Sequence, residues 1–135
     1  MATITEEITE SLTELQAVCW QNSEDKGFHD SEPTEPAELA VYNGNRLMLI
    51  VSEVAEAHEE IRKGYPADMT YYPSDYLGSE PVDGPHKPEG VPSEIADIVI
   101  RCFDFAGSNG FDLGKVIQEK LTYNTSRAHM HGKKF

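Results

Sequence analysis

The sequence predicts an all-α protein built from four helices. Three observations carry that expectation: apolar residues recur at spacings of three and four in several stretches, no segment shows the alternation of a strand, and glycine or proline separates the periodic stretches. With 135 residues the chain has the size of one domain, and 1–135 is read as a single domain carrying a loop insertion at about 64–92.

The first helix is expected over Glu6–Asp25, where Ile8, Leu12, Leu15 and Cys19 form one stripe and Thr3 with Glu6 offers a capping box. Gly27, Pro33 and Pro36 mark a polar connection. The second helix starts near Glu38 or Asn45 and runs to Lys63, stopped by Gly64. At 100° per residue Leu47, Ile50, Val54, Ala57 and Ile61 gather as its buried side.

Between Gly64 and Pro92 fall Pro66, Pro73, Pro81, Pro85, Pro88 and Pro92, six of the eight prolines, with Gly78, Gly84 and Gly90 among them. No regular element is expected there. Tyr65, Tyr71, Tyr72 and Tyr76 also lie in this Tyr/Pro-rich loop, which reads equally as a lid over a site or as a surface flap anchored by aromatics. Ser93 is the expected N-cap of a third helix reaching Ala106, with Ile95, Val99, Cys102, Phe103 and Ala106 apolar. Gly107 and Gly110 then turn the chain, and Asp112 caps a fourth helix ending at about Ala128.

Composition excludes several function classes. The formal net charge is -13, so stable binding to nucleic-acid phosphates is not expected. No apolar run approaches the length of a membrane span, and Met1 to Glu10 lacks the basic and apolar regions of a secretion signal. Cys19 and Cys102 stand alone, without the spacing of a zinc site, and read as buried thiols of a cytoplasmic protein. The charge is uneven. The first 38 residues carry ten acids against Lys26, whereas residues 113–135 set Lys115, Lys120, Arg127, Lys133 and Lys134 against Glu119. That terminus reads as an anion-binding segment or as a solvated tail.

Beside the apolar side of the second helix Glu53, Glu56 and Glu60 form a narrow wedge, while Glu59 points away. Glu94, Asp97, Arg101 and Asp104 form a similar wedge on the third helix. A lone pair of acids three apart is usually a solvated helix face. Two such pairs on neighbouring helices can converge on a hard divalent cation, making Glu53, Glu56, Glu94 and Asp97 candidate metal ligands. The Glu-x-x-His motifs of di-iron bundles are absent, which favours Mg2+, or Mn2+, over iron. On the fourth helix Lys120, Asn124 and Arg127 share one stripe, which can hold phosphate oxygens or be an ordinary polar face.

Taken together, Glu53-Val-Ala-Glu56, Glu94-Ile-Ala-Asp97 and Lys120-Leu-Thr-Tyr-Asn124-Thr-Ser-Arg127 resemble the MazG-like group of all-α nucleoside triphosphate pyrophosphohydrolases. The resemblance covers roughly 10–30, 44–63 and 92–131; the segment between Glu56 and Glu94 is longer than is usual in that family. It implies a four-helix MazG-like bundle and hydrolysis of a nucleoside triphosphate between its α and β phosphates. Glu53, Glu56, Glu94 and Asp97 would hold Mg2+ or Mn2+, a glutamate of the second helix, Glu56 or Glu60, would act as general base, and Lys120, Asn124 and Arg127 would grip the triphosphate. A homodimer, or a tetramer of two dimers, is implied as well. For the base, Trp20, Phe28 and His29 or the loop tyrosines offer stacking surfaces, with plain packing as the alternative. The competing functions are a non-catalytic nucleotide- or metal-binding relative and an acidic protein-interaction module.

Overall fold

The computed structural model describes residues 2–73, 86–127 and 129–134. Tyr76, Gly78, Pro81, Gly84 and Pro85 of the central loop, and Ala128 at the expected end of the fourth helix, lie outside the described residues. The fold is helical as expected, with α1 (Glu6–Asp25), α2 (Pro36–Arg62), α3 (Val91–Ser108) and α4 (Leu113–Thr125), and a 3-10 turn at His129–Gly132. Among the described residues there is no strand, although Tyr71 and Glu89 form an isolated antiparallel bridge. No described helix is long and apolar enough to cross a membrane. The chain divides into two compact units, Met1–Ser31 with Phe103–Phe135, and Glu32–Cys102.

In the first unit α1 and α4 pack side by side. The cap of α1 is Thr5, not Thr3, because Thr5 immediately precedes the first helical residue and its hydroxyl accepts the Ile8 N–H at 3.2 Å. The packed side of α1 is turned in part from the expected stripe, keeping Cys19 and the half-buried Leu12. Ile8 and Leu15 are exposed, while Thr9 and Cys19 are buried. Gly114 explains the turn: a Cβ there would lie 3.0 Å from both the Leu12 Cβ and the Thr9 carbonyl oxygen, so α4 approaches this side closely. Thr9 tolerates burial because its hydroxyl donates to the Thr5 carbonyl at 3.1 Å. Asp112 caps α4 as expected, accepting the Lys115 N–H at 3.2 Å, and also accepts the Thr13 hydroxyl at 2.9 Å. Gln16 grips the same turn twice, donating to the Phe111 carbonyl at 2.8 Å and accepting the Leu113 N–H at 3.0 Å.

The end of α1 is joined to the last turns of α3 around His29. Its Nδ1 lies 2.7 Å from Glu24 Oε2 and its Nε2 2.7 Å from Asp104 Oδ1. The imidazole stacks on Trp20 with ring centroids 5.0 Å apart, and the indole N–H donates to the Ser108 hydroxyl at 3.2 Å. Gly107 gives the indole room, since a Cβ there would come within 2.7 Å of Trp20 Cδ1. Phe103 and Ala106 are the buried apolar residues of this end of α3. Burial alone would depress the His29 pKa, but hydrogen bonds to Glu24 and Asp104, and their charges, outweigh it and hold it above the ordinary value.

In the second unit α2 begins earlier than expected, at Pro36, whose fixed φ suits a first turn. Glu35 is its cap, accepting the N–H groups of Ala37 at 3.1 Å and Glu38 at 2.9 Å. The expected buried side of α2 needs correction. Ala57 is buried and Ile50 half-buried, but Leu47, Val54 and Ile61 are 49%, 51% and 46% exposed. The acidic flank is turned inward instead, leaving Glu53 9% and Glu60 7% exposed. It can do so because both carboxylates have partners there, Arg101 and Tyr71.

Gly64 ends α2 at φ +95°, with the Tyr65 N–H returning to the Glu60 carbonyl at 3.2 Å. The described ends of the central loop meet where Tyr71 and Glu89 exchange backbone hydrogen bonds of 3.0 and 2.8 Å. Gly90 follows at φ +111°, where a Cβ would strike the Met69 carbonyl oxygen. The third helix therefore starts at Val91. Ser93 is not its cap; it lies inside the first turn and its hydroxyl donates to the Pro88 carbonyl at 3.0 Å. Ile95 and Val99, expected to be apolar core, are exposed.

The His29 arrangement gives a pH prediction with a definite sign. A folded pKa above the unfolded value of about 6.5 contributes stability that is complete below that value and fades as pH rises through the raised one. Thermal melts should show Tm falling over that interval, and His29→Gln should remove the slope and cost about 2 kcal/mol at lower pH. Parallel pH profiles of the two proteins would contradict this role.

Candidate metal centre

The wedge of α2 meets the first turns of α3 within the second unit. Glu53 and Glu56 are one turn apart on α2, and Glu94 lies in the first turn of α3. One carboxylate oxygen from each of the three lies within 4.8 Å of the others. Glu53 is buried, Glu94 half-buried and Glu56 exposed, so the group is supported from beneath and open on one side.

Arg101 supports Glu53. Its Nε and Nη2 donate to the same oxygen, Oε1, at 3.0 and 2.9 Å, which leaves Oε2 outside this ion pair. Arg101 is two turns past Glu94 on α3, so one helix supplies both a member of the acidic group and the cation beside it. Sequence reasoning placed Arg101 in the wedge without a role; the signal was a lone guanidinium among Glu94, Asp97 and Asp104.

The electrostatics follow from the crowding. Burial, followed by interactions with Glu53 and Glu56, pushes Glu94 up to about 7, so it keeps its proton where an ordinary carboxyl has lost it. Burial also pushes Glu53 upward, but interactions with Glu94 and Glu56 and the Arg101 guanidinium outweigh it and hold that carboxyl below its ordinary value. The crowding is thus borne by Glu94, while Glu53 stays ionised beside Arg101. All donors are carboxylate oxygens, the class that Mg2+ and Mn2+ take, so the residues fit such an ion.

The other expected site residues are placed differently. Asp97 follows Glu94 by one turn on α3, is exposed, and stands outside the group of three. Glu60 is buried, and the Tyr71 hydroxyl donates to its two oxygens at 3.1 and 2.9 Å. Lys120, Asn124 and Arg127 belong to the other compact unit. There Lys120 Nζ and Arg127 Cζ lie 5.8 and 5.6 Å from the centre of the exposed Tyr123 ring. Arg127 is just beyond the helix, which ends at Thr125, and its N–H returns to the Asn124 carbonyl at 3.2 Å.

Among the expected stacking surfaces, Trp20 and His29 are spent on each other and on polar partners, whereas Phe28 is 72% exposed. Tyr65 and Tyr71 stack with centroids 4.6 Å apart. Cys19 and Cys102 are free thiols, Cys19 buried and Cys102 half-buried. No family model, curated protein or solved structure matches the chain.

Glu94→Gln separates charge crowding from fold. A folded pKa near 7 against an unfolded value near 4.5 stabilises the metal-free protein fully below 4.5, and that contribution disappears as pH rises to about 7. The lowered Glu53 works in the opposite sense and below 4.5. In EDTA, melts of the wild type should therefore lose stability between pH 5 and pH 7 relative to Glu94→Gln, by about a few degrees in Tm. Mg2+ should raise the wild-type Tm above neutrality and leave the variant unmoved; identical behaviour of the two proteins would dissolve the cluster as an electrostatic unit.

Proposed function

We propose that this chain is a metal-dependent nucleoside triphosphate pyrophosphohydrolase of the MazG-like kind, acting in nucleotide-pool control or house-cleaning. The observation that carries the reading is the convergence of Glu53, Glu56 and Glu94 from two helices within 4.8 Å. The motifs around these residues, with Asp97 and the Lys120, Asn124, Arg127 stripe, support the same reading.

In the proposed mechanism Glu53, Glu56 and Glu94 would hold Mg2+, or Mn2+, and Arg101, which donates to Glu53, would fix its orientation. When bound, the ion supplies charge neutralisation at the phosphates and a water of lowered pKa. Asp97, one turn from Glu94 and exposed, is available on the same helix for a further ligand. Glu56 is the exposed member of the group and is the general base that accepts the proton of the attacking water. Glu60 is a poorer base, because its carboxylate is buried and already accepts the Tyr71 hydroxyl. Lys120, Asn124 and Arg127 grip the triphosphate and stabilise charge on the departing pyrophosphate. Water adds to the α phosphorus, the α–β bridging bond breaks, and monophosphate and pyrophosphate leave without a covalent intermediate.

The proposed assembly is a homodimer or a pair of dimers. Along α2, Ala37, Ala40, Gly44, Leu47, Val51, Val54, His58 and Ile61 alternate at spacings of three and four, the seam of a left-handed helix pair, and all are exposed. A single chain that exposes so continuous an apolar seam gains by covering it with another copy.

The test of the reaction is product analysis after mixing the protein with Mg2+ and a panel of ribo- and deoxyribonucleoside triphosphates. Monophosphate with pyrophosphate is expected, and Glu53→Gln should lower turnover by at least about a thousandfold with unchanged helical circular dichroism. Diphosphate with orthophosphate would mean another bond is cut; no product with any nucleotide, in Mg2+ or Mn2+, would return the non-catalytic readings. For the assembly, light scattering should show Val54→Glu as a monomer under conditions where the wild type is a dimer or larger. A wild-type monomer would remove the seam.

A further inference from the structure

The long central loop is fastened to α2 by a contact that the proposed chemistry does not use. Tyr65, three residues beyond the last residue of α2, stacks on Tyr71, and the Tyr71 hydroxyl donates to both oxygens of the buried Glu60. Glu60 lies one turn beyond Glu56 on α2. Tyr71 is also half of the two-way backbone bridge to Glu89, and the next carbonyl, that of Gly90, accepts the Glu94 N–H at 3.1 Å. A short hydrogen-bonded path therefore runs from the acidic wedge of α2, through the base of the loop, to the backbone of Glu94.

This path has a mechanical consequence. Glu53 and Glu56 are fixed by their own helix, but Glu94 reaches them only if the start of α3 is held at the right distance from α2. The loop spans Gly64 to Gly90, and a connection of that length fixes no distance unless its ends are tied. The Tyr71–Glu89 bridge ties the ends to each other, and the Tyr71–Glu60 bond ties the bridge to α2. At the bridge Gly90 has no room for a side chain, which leaves little slack in the path to Glu94.

We propose that Tyr71 is a positioning residue for the cation site: through Glu60 it docks the base of the loop on α2 and sets Glu94 within reach of Glu53 and Glu56. The inference rests on the metal reading given above. It makes the described base of the loop, at Tyr71 and Glu89, a support of the site, and it assigns to Glu60 the role of an anchor. Partners that orient ligands in this indirect way typically contribute 10- to 100-fold to metal affinity. By reciprocity, a bound ion must strengthen the bridge to the degree that the bridge strengthens ion binding.

Tyr71→Phe removes the hydroxyl and keeps the ring that stacks on Tyr65. Free Mn2+ measured by electron paramagnetic resonance should show its affinity weakened about tenfold, with helical circular dichroism unchanged. Hydrogen exchange should show Mg2+ slowing the Tyr71 and Glu89 amides in the wild type and failing to do so in the variant. If the wild type binds Mn2+ and Tyr71→Phe binds it equally well, Tyr71 only stabilises the loop and the inference is overturned while the metal reading stands. If the wild type binds no Mn2+, both fall. Should Tyr71→Phe fail to fold, Glu60→Gln and Glu60→Leu decide the matter: the amide keeps an acceptor for Tyr71 and should hold affinity within about threefold, whereas leucine should lose about tenfold. Equal losses in both would mean the charge of Glu60 acts on the ion directly, and the anchor role would be wrong.

Discussion

Three carboxylates held within 4.8 Å of one another, with one guanidinium beside the buried member, repel one another, and the strain of that crowding falls on Glu94, whose carboxyl is pushed up to about 7 by burial and by its neighbours. The second unit is arranged around that constraint. Burial of Glu53 is tolerated because Arg101 gives two N–H groups to one of its oxygens, and Glu94 resolves the remaining conflict by keeping a proton. In the proposed cation site a divalent ion would supply positive charge in place of the proton. The same need for partners explains why the acidic flank of α2, and not its most apolar flank, is turned inward.

The first unit also places acids close together, around an imidazole. His29 is set between Glu24 and Asp104 at 2.7 Å from each, and the imidazole lies on Trp20, whose place is left open by Gly107. Here, against the effect of burial, the two carboxylates hold the imidazole pKa above its ordinary value. Both units therefore rest on buried polar groups whose partners come from another helix or from a loop, and among the described residues the buried apolar side chains are Cys19, Ala57, Phe103 and Ala106. Apolar surface is correspondingly left outside on α2, where Leu47, Val51, Val54 and Ile61 are exposed.

Much of this was legible in the residues themselves. The periodic spacing located α1 to the residue, Asp112 announced the start of α4, and the acid pairs three apart marked Glu53, Glu56 and Glu94 for one place. The orientation of the helices was not legible. Which side of α2 is buried depends on Arg101, 48 residues from Glu53, and on Tyr71, 11 residues from Glu60, and a helical wheel contains neither. Leu47, Val54 and Ile61 satisfy a core stripe and an intermolecular seam equally well, because both need apolar residues on one face. Asp97 matched the ligand spacing but is exposed and stands outside the group of three. Likewise, hydroxyl caps at Thr3 and Ser93 were chemically sound and positionally wrong, because the cap is set by where the first helical turn begins.

The most direct test of the central claim is the titration of the Glu94 side-chain carboxyl carbon, followed by carbon-13 resonance in the presence and absence of Mg2+. The account predicts a metal-free midpoint near 7 that moves well into the acid range when Mg2+ is added. A midpoint near the ordinary carboxylate value, unmoved by Mg2+ or Mn2+, would contradict it, because Glu53, Glu56 and Glu94 would then be three separate acids and not one cation site.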